Sequence, residues 1–436
     1  MPFCLKKCSY CDFYSINALS LLPAYVDSLQ REIKIRSGLA EFSFLSNMAG
    51  SSGSSGYFGK SGNFDRSGPS RITSTIYFGG GTPSLLPLED IGKILETIYT
   101  CYQVSENAEI TFEVNPGTLD SAYLSGLTTL GINRLSIGVQ SFDSQKIAVL
   151  DRIHTIDQSI QAIEAAQSVG FENIGLDLIY GLPGETRERW IQDLETAMEF
   201  TPSHLSCYML TLEPGTPLHN QYEKGIFTPQ DPDSLVDFFV DTSAFLEKKG
   251  YEHYEISNFA LGRENRSCHN SNYWNYTPYD GFGPSAHSFG FITEKRQEVL
   301  HTNSDKNQYT NQNKNQEFSR MYPARSWNLA DVRAYVAKLS SGLLPIQEKE
   351  ELSIPQQMLE MVMMGLRTSD GLDIQTFERI SGQNFFQEFG SILARLETQE
   401  LGKVVIGSVT EKRLQLTLAG RARLDNIVEA FADIIL

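Results

Sequence analysis

Basic charge is scarce in this sequence. Its 436 residues carry 36 lysines and arginines against 53 aspartates and glutamates, a formal net charge of −17 at pH 7. A phosphate backbone would be repelled unless a basic patch were segregated, and no such patch is visible, so broad nucleic-acid binding is excluded. Long apolar runs are also missing: nothing reaches the roughly 18 residues of a membrane-spanning helix. The start, Met1-Pro2-Phe3-Cys4, lacks the basic region and apolar stretch of a secretory signal. Cysteine is sparse. Of six, Cys4, Cys8 and Cys11 lie together, and Cys101, Cys207 and Cys268 stand singly. A secreted disulfide scaffold would be smaller and more evenly spaced. The expectation is a cytoplasmic protein with a metal site, at most peripheral to a membrane.

What is present suffices for ordinary cores, since 41% of the residues are hydrophobic. The length predicts one large domain and at least one smaller. From Ile72 to Leu210, short apolar runs alternate with amphipathic stretches. The runs Ser74–Phe78, Glu109–Val114, Arg134–Val139, Ile174–Ile179 and Leu205–Leu210 read as strands. Leu88–Tyr99, Ala122–Leu130, Asp157–Val169 and Arg187–Phe200 read as helices. Near-continuous apolar strands with intervening helices imply an α/β fold with a parallel sheet, doubly wound or a barrel. Polar or glycine residues follow each run: Gly79-Gly80-Gly81-Thr82, Glu113, Gln140 and Tyr180-Gly181. Ligands bind at that edge of parallel α/β folds, so the chemistry is expected on one rim.

Two stretches break the pattern. Residues 46–70 are rich in Ser and Gly and read as a flexible insert; Thr302–Ser319, rich in Asn, Gln and Lys, reads as a polar loop. Beyond them Ala324–Ser340, Pro355–Arg367, Ile374–Ile380 and Phe386–Gln399 look helical, and Lys403–Val409 and Arg413–Thr417 look like strands. The expected division is 1–290 for the barrel and its extension, 291–323 for a polar loop, and 324–436 for a smaller winged-helix-like α+β domain.

Cys4-x3-Cys8-x2-Cys11 places three soft thiolates in one loop. Iron–sulfur clusters are normally held by four cysteines, and three leave one iron open for a small ligand. Zinc is the competing reading, but it needs a fourth nearby ligand, and the first histidine is His154. Cys4-Leu-Lys-Lys-Cys8-Ser-Tyr-Cys11 resembles the signature of the radical-SAM superfamily. The chain from Pro2 to about Phe289, outside the insert, is similar to the branch of oxygen-independent coproporphyrinogen III oxidases and HemW-type heme chaperones. The likeness resumes at Arg325-Ser-Trp-Asn328, with Met364-Gly-Leu-Arg367 and Leu416-Thr-Leu-Ala-Gly420. The resemblance implies a partial (β/α)6 barrel, a [4Fe–4S] cluster on Cys4, Cys8 and Cys11, and bound S-adenosylmethionine. In relatives a strand with an aromatic cofactor contact precedes the first cysteine. Here three residues do, and the expectation is that the coding sequence begins upstream.

Phe78-Gly79-Gly80-Gly81-Thr82-Pro83 can present backbone groups to a ligand, because glycines without Cβ allow close approach; alone it also suits a plain turn. The resemblance implies that Gly80, Gly81 and Thr82 hold the methionine part of the cofactor. Glu113, before Asn115-Pro116, is otherwise a solvated strand-end carboxylate; with Gln140, Arg152 and Asp177 it matches cofactor positions of the family. A carboxylate can accept from ribose hydroxyls and an arginine can pair a carboxylate. Tyr10 would pack against the adenine.

The oxidases carry a further cysteine two positions after the third, where this sequence has Phe13. That departure weakens oxidative decarboxylation of a porphyrinogen, which remains the alternative function and leaves enzymatic status open. Cys268-His269-Asn270-Ser-Asn-Tyr273-Trp274 instead resembles the His-Asn-x-x-Tyr-Trp motif of the chaperones. A histidine can ligate heme iron and aromatics can cover a porphyrin face; the competing reading makes Tyr273 and Trp274 packing residues and His269 a hydrogen-bonded core histidine. His287, after a glycine-rich loop, is the second ligand candidate. The implied partners are heme, heme-accepting apoproteins, an electron donor for the cluster and a second copy in a homodimer, with no nucleic acid.

Overall fold

The computed structural model describes residues 1–38, 72–296, 318–407 and 411–436. The serine/glycine insert and nearly all of the polar tract lie outside them.

Helix α1 (Leu22–Gly38) precedes an alternating series: β1 (Ile72–Phe78), α2 (Leu88–Cys101), β2 (Gln103–Val114), α3 (Ser121–Thr129), β3 (Arg134–Gln140), α4 (Ser144–Val149), α5 (Ile156–Ser168), β4 (Asn173–Tyr180), α6 (Arg187–Glu199) and β5 (His204–Met209). Side chains start the helices. Asp120, Asp143 and Thr186 accept backbone N–H groups at α3, α4 and α6, and Thr155 forms a reciprocal capping box with Gln158 at α5. Strands β1 to β5 pair in sequence order, all parallel. Alternation then sorts their side chains. Ile110, Phe112, Leu135, Ile137, Leu176 and Leu205 face outward into the helix-covered core, each at most 4% exposed. Burying one such side chain contributes roughly 1.5–3 kcal/mol. The inner positions are polar instead: Tyr77, Glu113, Ser136, Asp177 and Ser206. The α/β fold with a parallel sheet expected from the sequence is present, with five parallel strands among the described residues.

After α7 (Pro217–Glu223) and α8 (Pro232–Lys248), two short strands extend the sheet in the opposite sense: β7 (Asn258–Leu261) pairs antiparallel with β5, and β6 (Tyr251–His253) with β7. Helix α9 (Cys268–Trp274) follows. The stretch 291–323, expected to be a polar loop, carries strand at both ends. Strand β8 (His287–Arg296) pairs antiparallel with β9 (Phe318–Asn328). The helix expected over 324–340 is likewise a strand to Asn328, and only α10 (Val332–Ser340) is helical, before the edge strand β10 (Ile346–Glu351). The physical reason is that the buried side of β9 is Ala324, Ser326 and Asn328, at most 1% exposed. Small and polar side chains leave no apolar alternation to read.

The C-terminal part has its own core around Phe377, Phe385, Phe389 and Phe431, all fully buried. Its order is α11 (Ile354–Arg367), β11 (Leu372–Asp373), α12 (Ile374–Ser381), α13 (Phe385–Thr398), β12 (Gly402–Ile406), β13 (Lys412–Leu416), α14 (Leu418–Arg421) and α15 (Leu424–Ile435). The small sheet has the order β11-β13-β12, the arrangement of a winged helix.

Candidate functional site

The cysteine loop is pinned at its base. Phe3 is fully buried and bridges to Ile16; the Cys4 N–H donates to Ile16 (2.9 Å) and the Ile16 N–H to Pro2 (2.8 Å). All three thiols are free and partly exposed. The Thr82 hydroxyl lies 3.5 Å from Cys4 Sγ, and Arg152 Nη1 lies 3.6 Å from Cys8 Sγ and 3.5 Å from the Tyr10 hydroxyl. Arg152 Nη2 also donates to the Gly138 carbonyl at 3.0 Å. The loop brings the sulfurs to one rim without converging them: among the described residues no three His, Cys, Asp or Glu side chains gather at metal-binding distance. The donor set itself, three soft sulfurs from one loop, suits an iron–sulfur cluster.

Beside the loop, Gly80 has φ +108°, a conformation that favours glycine, and a Cβ on Gly81 would lie 2.6 Å from the Phe3 carbonyl. That turn fits only glycine. Glu113 accepts from the Tyr77 hydroxyl at 2.7 Å and from the Gly80 N–H at 3.1 Å. Burial pushes its carboxyl up to about 7. Asp177 accepts from Ser136 at 2.8 Å, and burial raises it too. Gln140 ends β3 with φ +68° and folds its amide back over Gly138. Two buried polar atoms here have no partner, Asp177 Oδ1 and Arg152 Nε. A buried acceptor and a buried donor left open at one rim fit a small ligand with hydroxyl and carboxylate groups, as S-adenosylmethionine has.

His269 lies behind this rim on α9. Glu109 of β2 accepts the Cys268 and His269 N–H groups, each at 2.9 Å, and so fixes the start of the helix. The imidazole stacks on Tyr77 with ring centres 4.6 Å apart and 18° between planes. Both ring nitrogens are engaged, Nδ1 with Thr75 Oγ1 at 3.1 Å and Nε2 with the Tyr273 hydroxyl at 2.9 Å. Burial holds the ring neutral, its pKa lowered to about 4. Tyr273 meets Tyr279 edge-on, while Trp274 lies under the Arg367 guanidinium at 4.4 Å. Cys268 is exposed. His287 stacks on Trp327 at 5.7 Å, and Phe13 is 66% exposed on the cysteine loop.

The structure thus sets three linked groups along one rim, Cys4 with Thr82, Cys8 and Tyr10 with Arg152, and Glu113 with Gly80, and it places Asp177 near Glu113, where the charge of Asp177 raises the Glu113 carboxyl further. Sequence reasoning missed Tyr77, which donates to Glu113 and stacks on His269, and also missed Thr75 and Glu109. Their signal was available: polar residues at alternate positions in otherwise apolar strands of a parallel sheet.

Residues 66–197 match the family model of the radical SAM superfamily, a span that starts after the cysteine loop, and residues 352–423 match the HemN C-terminal domain. The chain is 36% identical over 310 residues to a protein named heme chaperone HemW from Buchnera aphidicola subsp. Acyrthosiphon pisum, covering 70% of this chain and 73% of that one. It is 27% identical over 435 residues to the heme chaperone HemW of Bacillus subtilis, covering 99% and 97%. In fold it resembles the Escherichia coli coproporphyrinogen III oxidase HemN, with a TM-score of 0.71 at 22% identity, covering 99% of this chain and 88% of that one. With a radical-SAM barrel, a HemN-type C-terminal domain and this degree of identity, the chain belongs to the HemW family of the radical-SAM superfamily.

Proposed function

We propose that this protein binds heme and hands it to apoproteins, with a [4Fe–4S] cluster on Cys4, Cys8 and Cys11 and S-adenosylmethionine beside it. The observation that carries this reading is the seat of His269 directly behind the cofactor rim, stacked on the same Tyr77 that donates to Glu113. In this assignment Gly80, Gly81 and Thr82 hold the methionine part of the cofactor. Glu113, Gln140, Arg152 and Asp177 meet its polar groups and Tyr10 its adenine. When bound, the pair supplies one-electron chemistry at the sulfonium, with electrons from a separate donor. Arg152 orients Cys8 and Tyr10 together, and Glu113, its carboxyl pushed up to about 7 by burial, is partly ionised near neutrality and offers a carboxylate to a cation.

His269 is the heme ligand in this proposal. It is already neutral, as a metal ligand must be, but Nε2 becomes free only when the Tyr273 hydroxyl turns away. The protein is assigned to the cytoplasm. Among the described residues no helix is long and apolar enough to cross a membrane.

The test is anaerobic reconstitution with iron and sulfide, followed by parallel assays. Heme should be retained with a Soret band and pass unchanged to an apo-hemoprotein. With reductant and S-adenosylmethionine present, coproporphyrinogen should not be consumed, because Phe13 stands where the oxidases carry a cysteine. Robust decarboxylation would overturn the carrier assignment.

A further inference from the structure

Beneath the cysteine loop lies a buried ion cluster that the proposed function does not use. Lys146, on α4, is 3% exposed. Its ammonium contacts Glu185 and lies 2.6 Å from Asp193 Oδ2, with the Trp190 ring face 5.1 Å away. Asp193 projects from α6, and Glu185 sits in the loop before it, where its second oxygen accepts the Leu182 N–H at 3.0 Å. Three charges removed from water are costly and weak as a source of net stability, so their value lies in geometry. Asp193 also accepts from the Ser141 hydroxyl at 2.7 Å and the Phe142 N–H at 2.8 Å. The cluster therefore grips both the chain leaving β3 and the helix that follows.

That segment carries the cysteine loop. The Ser9 hydroxyl donates to the Val149 carbonyl at 3.2 Å, and Lys6 pairs with Asp151 at 2.5 Å. The Arg152 N–H donates to the Ile147 carbonyl at 3.2 Å, which aims the guanidinium at Cys8 and Tyr10. Residues with positive φ bound the segment, Gln140 at +68° and Asp151 at +55°. Non-glycine residues hold such conformations only where their surroundings impose them. A loop between two strained turns keeps its height over the sheet when something fixes its middle.

We propose that Lys146 is a positioning residue for the cofactor site: with Glu185 and Asp193 it fixes the 141–152 saddle on which the cysteine loop and Arg152 rest. This inference rests on the assignment of cluster and S-adenosylmethionine to the rim. Lys146 touches neither; it acts through Arg152, Ser9 and Lys6. Its loss loosens S-adenosylmethionine binding while the three cysteines still take up iron.

The experiment compares reconstituted wild type, Lys146→Met, Ser141→Ala and Glu32→Gln. Ser141→Ala removes one hydrogen bond of the grip and no charge. Glu32→Gln disturbs an equally buried ion pair, Glu32 with Arg36 at 3.0 Å, whose carboxylate accepts from Gly283, Asn328 and Tyr335 and from no residue of the cysteine loop or of 141–152. Iron content, S-adenosylmethionine affinity by equilibrium dialysis, and the electron paramagnetic resonance signal of the reduced cluster with and without the cofactor are read. Lys146→Met should keep its iron but bind S-adenosylmethionine at least about tenfold more weakly, with the cofactor-induced change in the signal lost. Ser141→Ala should show a smaller loss of the same kind, and Glu32→Gln none. Wild-type affinity in Lys146→Met overturns the inference, as does an equal loss in Glu32→Gln. Should Lys146→Met fail to fold, unchanged affinity in Ser141→Ala overturns it. Failure of the wild type itself to bind iron or cofactor refutes the site assignment instead.

Discussion

The cofactor rim and helix α9 meet at one tyrosine but are finished differently. At the rim, Asp177 Oδ1 and Arg152 Nε are buried without partners, and the Cys4 and Cys8 sulfurs receive long contacts from Thr82 and Arg152. On α9 both nitrogens of His269 are satisfied and both of the first backbone N–H groups are capped. Unmade hydrogen bonds in a buried place are expensive, whereas made ones must be broken before anything replaces them. The rim is therefore shaped to gain a ligand without losing a contact. The histidine is shaped to exchange one. In a carrier that difference is useful, because a ligand that must displace an internal partner is also more easily returned.

The largest effect expected is at the rim. Replacing Cys4, Cys8 or Cys11 by Ser should abolish the broad visible absorption and the iron of the reconstituted protein, because two thiolates do not hold the cluster. Cys101→Ser should leave both intact. Retention of the cluster in Cys8→Ser would break the comparison at its root.

Next comes His269→Ala, expected to weaken heme binding at least about tenfold in a Soret titration while iron content stays at the wild-type level. Equal heme binding in the variant would place the ligand elsewhere, with His287 and Cys268 the next to test. Tyr273→Phe sharpens the contrast from the other side. It frees Nε2 of an internal bond worth about 1 kcal/mol, so heme should bind about fivefold more tightly. Weaker binding would show that the hydroxyl serves the heme and does not compete with it.

The smallest effect is a pH slope. The pKa of His269 is lowered to about 4 in the folded chain, against about 6.5 when unfolded. Between those values the unfolded chain binds more protons, so this ring's contribution is fully present above about 6.5 and is lost as pH falls toward about 4. From pH 7 to pH 5, urea unfolding of the wild type should lose on the order of 1 kcal/mol more than that of His269→Ala. Parallel slopes would mean that the imidazole is not held neutral.

Much of the barrel was legible because its strands obey a simple rule. Apolar on the helix-covered face, they read as short apolar runs, and β1 to β5 fall within about two residues of the expected positions except at the start of β2, where the mostly polar stretch 103–108 precedes the apolar run. Strands β8 and β9 were not legible, since apart from Phe289 their buried positions, such as Ser288, Ala324, Ser326 and Asn328, are small or polar, and the two strands are separated by the polar tract. At the site, the cysteines, the glycine turn and the strand-end carboxylate announced themselves by residue type and spacing. The engagement of both His269 nitrogens did not. It depends on Thr75, nearly two hundred residues away, brought beside His269 only by packing. Lys146 was equally silent, because a lysine in a short polar helix looks solvated until α6 supplies its carboxylate.

Trp274 has a further consequence. Five residues after His269, it lies under Arg367 of α11, and Arg367 also reaches the buried Glu255 at 3.7 Å. The histidine helix is thus gripped at one end by a barrel strand and at the other by the winged-helix part. Linkage between such contacts is reciprocal. A ligand that draws His269 out of its pocket by moving α9 must loosen this grip, and a partner that tightens the grip must weaken that ligand by the same factor. An acceptor touching only the C-terminal part would then make the protein release its cargo without ever reaching the histidine.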